Sequence, residues 1–321
     1  MSEGQSDSQS DSQSDSHPSA ASVPSRTFVL THLLIASASW ATSFLFIKLI
    51  NGEMSPLALA SLRAIIGTLG LLPIILWLGQ SILPNGREWR DWAIIGTLNG
   101  WVPNILIVFA LERMDTGPAA LIQASGPLMN ALLAHQFLKG ERLNGARVTG
   151  LVIGMIGVAT LIGPAALTGG ASTFGVLAML ALTLCYAVAN IYVRRIPVAD
   201  PMRLALGQQS FSAVFATTLA LLTVGSAGFA PASGHVWTLL GLGLIATAAP
   251  IALFMRLLRA AGPAKASMTG YLVPTFAIVI GVTILGETLL ARQVIGGVIV
   301  LCGVAIVTGA LRLPFTKSQL S

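Results

Sequence analysis

Inside its longest apolar stretches this chain places a small set of polar and aromatic side chains: Trp40 and Ser43, Asn99 and Asn104, Gln123, Tyr186 and Asn190, and Tyr271. Groups of this kind hold a solute by hydrogen bonds and ring contacts. Nothing beside them looks reactive: no Ser–Lys pair, no pair of Asp residues within the stretches and no His-rich ligand set is visible. The four histidines, at 17, 32, 135 and 235, are isolated from one another. Cys185 and Cys302 fall inside apolar stretches, where small-residue packing is the ordinary use of cysteine. No metal, cofactor or enzymatic activity is therefore expected. The expected chemistry is binding.

In lipid an exposed polar group costs several kcal/mol, so these side chains must line a cavity or bond to a neighbouring helix. For each Asn and Gln both uses stay open. Asn99 and Asn104 are five positions apart and cannot both face squarely one way on an α-helix, so one is expected to bond to a neighbouring helix. Trp40, Tyr186 and Tyr271 sit deep. They either enclose an apolar group or a cationic head group, through the ring quadrupole, or pack in the core. Trp77, Trp89, Trp92 and Trp237 fall near the ends of stretches, where tryptophan anchors a chain at the membrane interface.

Charge is sparse within the stretches. Arg63 is the strongly basic residue well inside one; it meets a substrate carboxylate or bridges backbone carbonyls and a helix end. No Asp or Glu lies mid-stretch. The usual proton or sodium relay is thus missing, and a cationic solute would find no fixed counter-charge. Zwitterionic, neutral or amphipathic solutes fit better than phosphates, which ask for clustered Arg or Lys. His32 and His135 are the in-stretch groups that ordinarily titrate near neutrality, as proton shuttles or as hydrogen-bonded packing. Glu141 and Glu287 end their helices against an unfavourable dipole and need partners. Arg142 or Arg147 would serve Glu141 and Arg292 would serve Glu287, capping or gating by ion pair.

The elements that position these residues follow from composition. Of 321 residues, 54% are hydrophobic and 9% charged, against about 25% charged in a soluble domain. Ten apolar runs are long enough to cross a bilayer as helices, at about 28–50, 56–79, 92–111, 117–138, 145–163, 174–193, 205–224, 236–257, 264–285 and 291–311. The fold class is therefore all-α integral membrane. Gly140-Glu141 recurs 146 residues on as Gly286-Glu287, Gly157-Val158-Ala159 as Gly303-Val304-Ala305, and Trp40-Ala41 lies over Tyr186-Ala187. Two repeats of five helices each, at 28–163 and 173–312, follow, with a turn-rich linker at 164–172. An odd number of crossings inverts the second copy relative to the first, an architecture of secondary transporters. Residues 1–27 are a Ser/Asp/Gln-rich tail expected to be disordered, and 313–321 a short C-terminal tail.

The net charge of +6 does not point to nucleic acid. Most Lys and Arg fall on the loops that share a side with the N-terminus, leaving Lys48, Arg113 and Arg292 opposite. The positive-inside rule then puts both termini in the cytoplasm. Gly150, Gly154, Gly296, Gly297 and Gly303 allow close helix approach, serving half-to-half packing or a homodimer. The expected partners are the lipid bilayer and a small-molecule solute. A membrane sensor or scaffold would add a soluble output domain, for which the short loops leave no room.

Several stretches taken together resemble the drug/metabolite transporter superfamily, in its EamA-type ten-helix branch. These are Trp40 through Lys48; Arg63; Thr116-Gly117-Pro118-Ala119-Ala120 through Pro127 to Gly140-Glu141-Arg142; and Gly262-Pro263-Ala264 through Tyr271 and Pro274 to Gly286-Glu287. The resemblance implies a bacterial inner-membrane carrier of small solutes, often an exporter, working by alternating access. It implies a cavity lined mainly by helices one, three, four, six, eight and nine, with Pro127 and Pro274 in structural or gating positions. Because helix two is not usually a wall in that family, the structural role is expected for Arg63. The chain departs from the pattern at Gln209, in the place of Arg63 in the second half, and at Tyr186, which replaces a frequent tryptophan.

Overall fold

The computed structural model describes residues 24–50, 52–138, 140–141, 143–163, 171–196 and 200–311. Most of the N-terminal tail and linker, the C-terminal tail, and Arg142 lie outside the described residues. Every regular element described is helical. The chain runs through α1 (Arg26–Ile50), α2 (Pro56–Trp77), α3 (Glu88–Gly96) and α4 (Val102–Leu111), then α5 (Thr116–Gln123), α6 (Gly126–Phe137) and α7 (Gly145–Ile162). It continues through α8 (Ala171–Val193), α9 (Pro201–Thr223), α10 (Val236–Leu240), α11 (Ala249–Ala261), α12 (Pro263–Ala266), α13 (Thr269–Thr283) and α14 (Ala291–Val307).

Local chemistry sets these limits. Ser55 caps α2 by accepting from the Ala58 N–H, Asn144 caps α7 through Arg147, and Asp200 caps α9 through Met202 and Arg203. Pro56 and Pro201 stand at first-turn positions that need no N–H donor. Pro127 cannot donate to Gln123, and the fourth apolar run breaks there into α5 and α6. The ninth run breaks between α12 and α13.

Seven helical stretches among the described residues are long and apolar enough to cross a membrane, α3 and α4 counting as one rod and 226–261 as another. The remaining three of the ten expected runs are helical but shorter. The fourth is divided, α13 has 15 residues and α14 has 17. At 1.5 Å per residue, α13 spans about 22 Å, short of a 30 Å hydrocarbon core.

Both inner rods carry a wide turn at the same place in the repeat. Thr97–Trp101 joins α3 to α4 as a π-helical turn, and Gly241–Ala248 joins α10 to α11 in the same way. A proline follows each, Pro103 and Pro250. Without an N–H, Pro103 cannot give the Asn99 carbonyl its α-helical i+4 donor. That carbonyl accepts instead from Gln208 Nε2 at 2.8 Å, across to α9.

Repeat-related helices pack together: α2 against α9 and α7 against α14. In the second pair backbones touch. A Cβ on Gly157 would stand 2.5 Å from the Val300 nitrogen, and one on Gly303 2.5 Å from the Gly154 nitrogen. The glycine face that suggested half-to-half packing or a homodimer is thus filled within the chain. Val29 packs near Leu257 and Ala266, and Tyr271 bonds Thr308, so both ends of the bundle lie on one face, here the near face. At the opposite, far face the largest apolar cluster closes the bundle, with Ile47, Ile50, Leu59, Leu111, Ile122, Met179 and Leu182 all fully buried.

Trp92, expected as an interface anchor, is instead 2% exposed. It lies flat against Gly207, where any side chain would collide with the indole, and Arg203 sits over it at 5.9 Å. Trp77 and Trp237 are exposed, as interface anchors are.

Candidate solute cavity between the halves

A cavity of about 720 Å³ runs into the bundle between the two halves. Its lining begins at the near face with Arg194, Ile196, Pro201 and Leu258 and ends against Phe44, Ile107 and Ala120, below the apolar cluster of the far face. Trp40, Ser43, Arg63, Asn99, Asn104, Gln123, Pro127, Tyr186, Asn190 and Pro274 all line it. One wall is aromatic, Trp40 and Phe254 meeting at 5.3 Å.

Asn99 and Asn104 share this cavity, contrary to the expectation from α-helical spacing. The π turn supplies the reason. Its i→i+5 hydrogen bonds stack residues five apart, and Gly100 leaves helical geometry at φ −125°, ψ −105°. Asn99 also donates from Nδ2 to Gln208 Oε1 at 2.7 Å, so this asparagine makes an interhelical bond while lining the cavity. Trp101 points elsewhere and donates to Thr97 Oγ1.

Tyr271 does not line the cavity. On α13 the lining residues are Thr269, Gly270, Val273 and Pro274. At 100° per residue Tyr271 lies about 130° from the centre of that arc. Its hydroxyl pairs with Thr308 Oγ1 at 2.6 Å, toward α14.

Arg63 is a wall of the cavity, where the family resemblance implied that helix two would not be. It donates from Nε to Thr247 Oγ1 at 3.0 Å and from Nη2 to Ser43 Oγ at 2.9 Å. Thr247 in turn donates a hydrogen bond to the Leu242 carbonyl, within the π turn of the second half. Across the repeat, Gln209 also lines the cavity at 3% exposure, and its Oε1 has no donor among the described residues. Gln208, Gln209, Thr247 and Phe254 were absent from the sequence-based set. One signal pointed to Gln209: it occupies the repeat position of Arg63, and equivalent residues of packed repeat partners face one another.

The two glutamates lie outside the cavity, one toward each face. Glu287 was expected to meet Arg292. Instead it reaches the first half, both oxygens accepting from the Thr116 N–H at 3.0 and 2.9 Å and one from Gly117 at 3.4 Å. Asp115, the residue before α5, makes no capping bond, so Glu287 supplies the anion that this helix start favours. Arg292 caps the end of α7 through the carbonyls of Ile162, at 2.6 Å, and Leu161. At the near face Glu141 pairs with Arg147 at 3.1 Å, as expected, and with Arg194 at 3.0 Å across to α8. His32 bonds the Phe28 carbonyl and His135 accepts from the Leu143 N–H; neither lines the cavity.

The hydrogen bond from Arg147, with a second from Arg194, holds the Glu141 carboxyl below its ordinary value, although partial burial pulls the other way. A lowered folded-state pKa contributes stability above the unfolded value, lost as pH falls through the folded one. Thermal stability is therefore expected to drop below about pH 4, and the drop should be shallower in Glu141→Gln. Equal slopes would show that this pair contributes nothing.

Among the described residues, an all-helical bundle with seven long apolar helices and, between its packed halves, a largely apolar cavity studded with a few polar groups defines a multi-pass membrane protein. The sequence profile of the EamA-like transporter family matches residues 27–163 and again 173–309. The chain belongs to that family, and it is a membrane transporter. Relatives include the protein of Bacillus subtilis (strain 168) called uncharacterized transporter YoaV, 22% identical over 86% of this chain and 95% of its own length. The uncharacterized inner membrane transporter YedA of Escherichia coli (strain K12) is 26% identical over 86% of this chain and 89% of its own. An uncharacterized transporter of Archaeoglobus fulgidus is 24% identical over 85% and 94%. One crystal structure shares the fold at a TM-score of 0.63, covering 89% of this chain and 98% of that one at 21% identity.

Proposed function

We propose that this chain carries a small amino-acid-like or amphipathic solute across the bacterial inner membrane by alternating access, in the direction of export. The working parts are two inverted five-helix halves, 28–163 and 173–312, joined by a linker at 164–172, with ten crossings and both termini in the cytoplasm. The observation that carries the reading is the cavity: it draws lining from both halves, reaches one face and is shut at the other. The short crossings fit it, because α13 and the broken α5–α6 pair run beside protein and cavity, where incomplete spans are tolerated.

Charge supports the orientation on which the export reading rests. The near face carries Arg194, Arg195, Arg203 and Arg259 with both ends of the bundle, so by the positive-inside rule it faces the cytoplasm. The cavity then loads from the cytoplasm, as an exporter requires. The substrate-contact roles belong to Trp40, Ser43, Asn99, Asn104, Gln123, Tyr186 and Asn190. Pro127 and Pro274 weaken their helices where the cavity wall must bend, Glu287 holds the closed far face, and Glu141 braces the open near face through Arg147 and Arg194.

The test is thermal stabilisation of the purified chain across amino acids, quaternary amines, nucleosides and sugars. A solute at about 100 times its Kd stabilises by roughly 2.7 kcal/mol. At least one class is expected to stabilise, and Trp40→Ala is expected to remove the shift while leaving the unliganded transition near its starting point. Stabilisation that survives Trp40→Ala, Asn104→Ala and Tyr186→Ala alike would place binding outside this cavity.

A further inference from the structure

The guanidinium of Arg63 is held in the bundle interior by two neutral hydroxyls, those of Thr247 and Ser43. Among the described residues it forms no ion pair, and no Asp or Glu lines the cavity it faces. Arg194, the other lining arginine, is already paired with Glu141 at the near face. A charged side chain at membrane depth is costly and ordinarily finds a partner. Arg63 also has five N–H groups in a flat fork, more than two hydroxyls can use, and a carboxylate fits that fork with two parallel bonds.

The same cavity carries the complementary deficit. The Oε1 atoms of Gln209 and Gln123 are buried without a donor among the described residues, and both residues line it. An unpaired buried acceptor is costly, and a turn of either amide toward the cavity would pair it with a ligand N–H or O–H. We propose that Arg63 is the carboxylate-recognition residue of the cavity, and that its solute is a small monocarboxylate bearing N–H or O–H donors for Gln209 and Gln123. The inference rests on the carrier reading and narrows it. A lone amine meets Arg63 as a like charge, and a phosphate dianion finds one unpaired arginine where it needs several. The solute's apolar part lies against Trp40 and Phe254.

Matched compounds sharing one apolar group test this on the purified full-length chain by thermal shift. The set is leucine and 2-hydroxy-4-methylpentanoate (acid with donor), 4-methylpentanoate (acid alone), leucinamide (acid masked) and 3-methylbutylamine (amine alone). It is repeated with the phenylalanine and alanine series. In the wild-type chain the donor-bearing acids are expected to bind at least tenfold tighter than the masked acid and the amine. Arg63→Gln is expected to erase that preference and Arg63→Lys to weaken it. Gln209→Met is expected to bring the donor-bearing acids down to the level of the acid alone. The wild-type ranking needs no variant, so a poorly folding Arg63→Gln leaves the test intact. Amines or amides binding as well as acids, or acids binding equally in Arg63→Gln, would overturn the role of Arg63 while sparing the carrier reading. No binding by these compounds together with binding by another class, lost in Trp40→Ala, would also overturn it. No binding by any class would contradict the cavity reading itself.

Discussion

Replacing Glu287 by alanine is expected to raise about tenfold the rate at which an impermeant thiol reagent on the far face reaches a cysteine placed at Ala120. Ala120 is 2% exposed and lines the inner end of the cavity. A reagent from the far face must part α5 from the second half to reach it. Glu287 is the polar contact across that seam, accepting from the first two N–H groups of α5. Hydrogen bonds to a charged group contribute about 1.5–3 kcal/mol, and the lower end of that range corresponds to tenfold in the open population. The measurement uses a chain with Cys185 and Cys302 replaced. Glu287→Gln keeps an acceptor but loses the charge that the helix start favours, so its effect should be smaller. An unchanged rate in Glu287→Ala would show that the far face is held shut by apolar packing alone.

The largest loss of stability is expected from Gly303→Leu. Its Cβ alone would stand 2.5 Å from the Gly154 nitrogen, 2.6 Å from the Gly154 Cα and 2.7 Å from the Gly150 carbonyl oxygen. These are backbone atoms, which cannot turn aside as a side chain would, so α7 and α14 must separate. Overpacking a core ordinarily costs about 1–3 kcal/mol; here the upper end or beyond is expected, along with lost contact down the seam. Gly145→Ala is the matched control, since nothing lies within 4 Å of its Cβ and helix propensity favours alanine. Unfolding titration in mixed detergent should separate the two widely. Comparable stability for both would mean that α7 and α14 do not touch as described.

How much of this was legible in the sequence depended on whether the governing physics was local. Apolar runs and their 146-residue repetition are one-dimensional signals, and the family profile matches the chain twice, at 27–163 and 173–309. That buried polar groups must line a cavity is a solvent argument needing no coordinates, and it found Trp40, Ser43, Gln123 and Asn190. What it missed turned on geometry that helical spacing hides. Asn99 and Asn104 share a wall only because a π turn re-phases the helix between them. Tyr271 faces α14 because its helix restarts at Thr269, so the phase of the ninth run could not be read from where the run begins.

The remaining misses concern pairing. Glu287 and Arg292 are close in sequence and opposite in charge, yet each is drawn to a helix terminus, the glutamate to the start of α5 and the arginine to the end of α7. Gln208 answers a carbonyl, in another helix, to which Pro103 cannot donate. Long-range satisfaction of backbone groups is fixed by which helices meet, and residue order alone does not state that.

On alternating access, solute crosses only if the far face opens. Glu53 and His235 stand on far-face loops of the two halves, joined at 2.7 Å. Cysteines at these positions, in a chain lacking Cys185 and Cys302, can be bridged by a short bis-maleimide in sealed proteoliposomes. Flux of the best-stabilising solute would then be measured before and after bridging. The bridge is expected to abolish flux while ligand binding from the near face persists, and the same reagent to leave each single-cysteine chain active. Undiminished flux through the bridged protein would contradict alternating access.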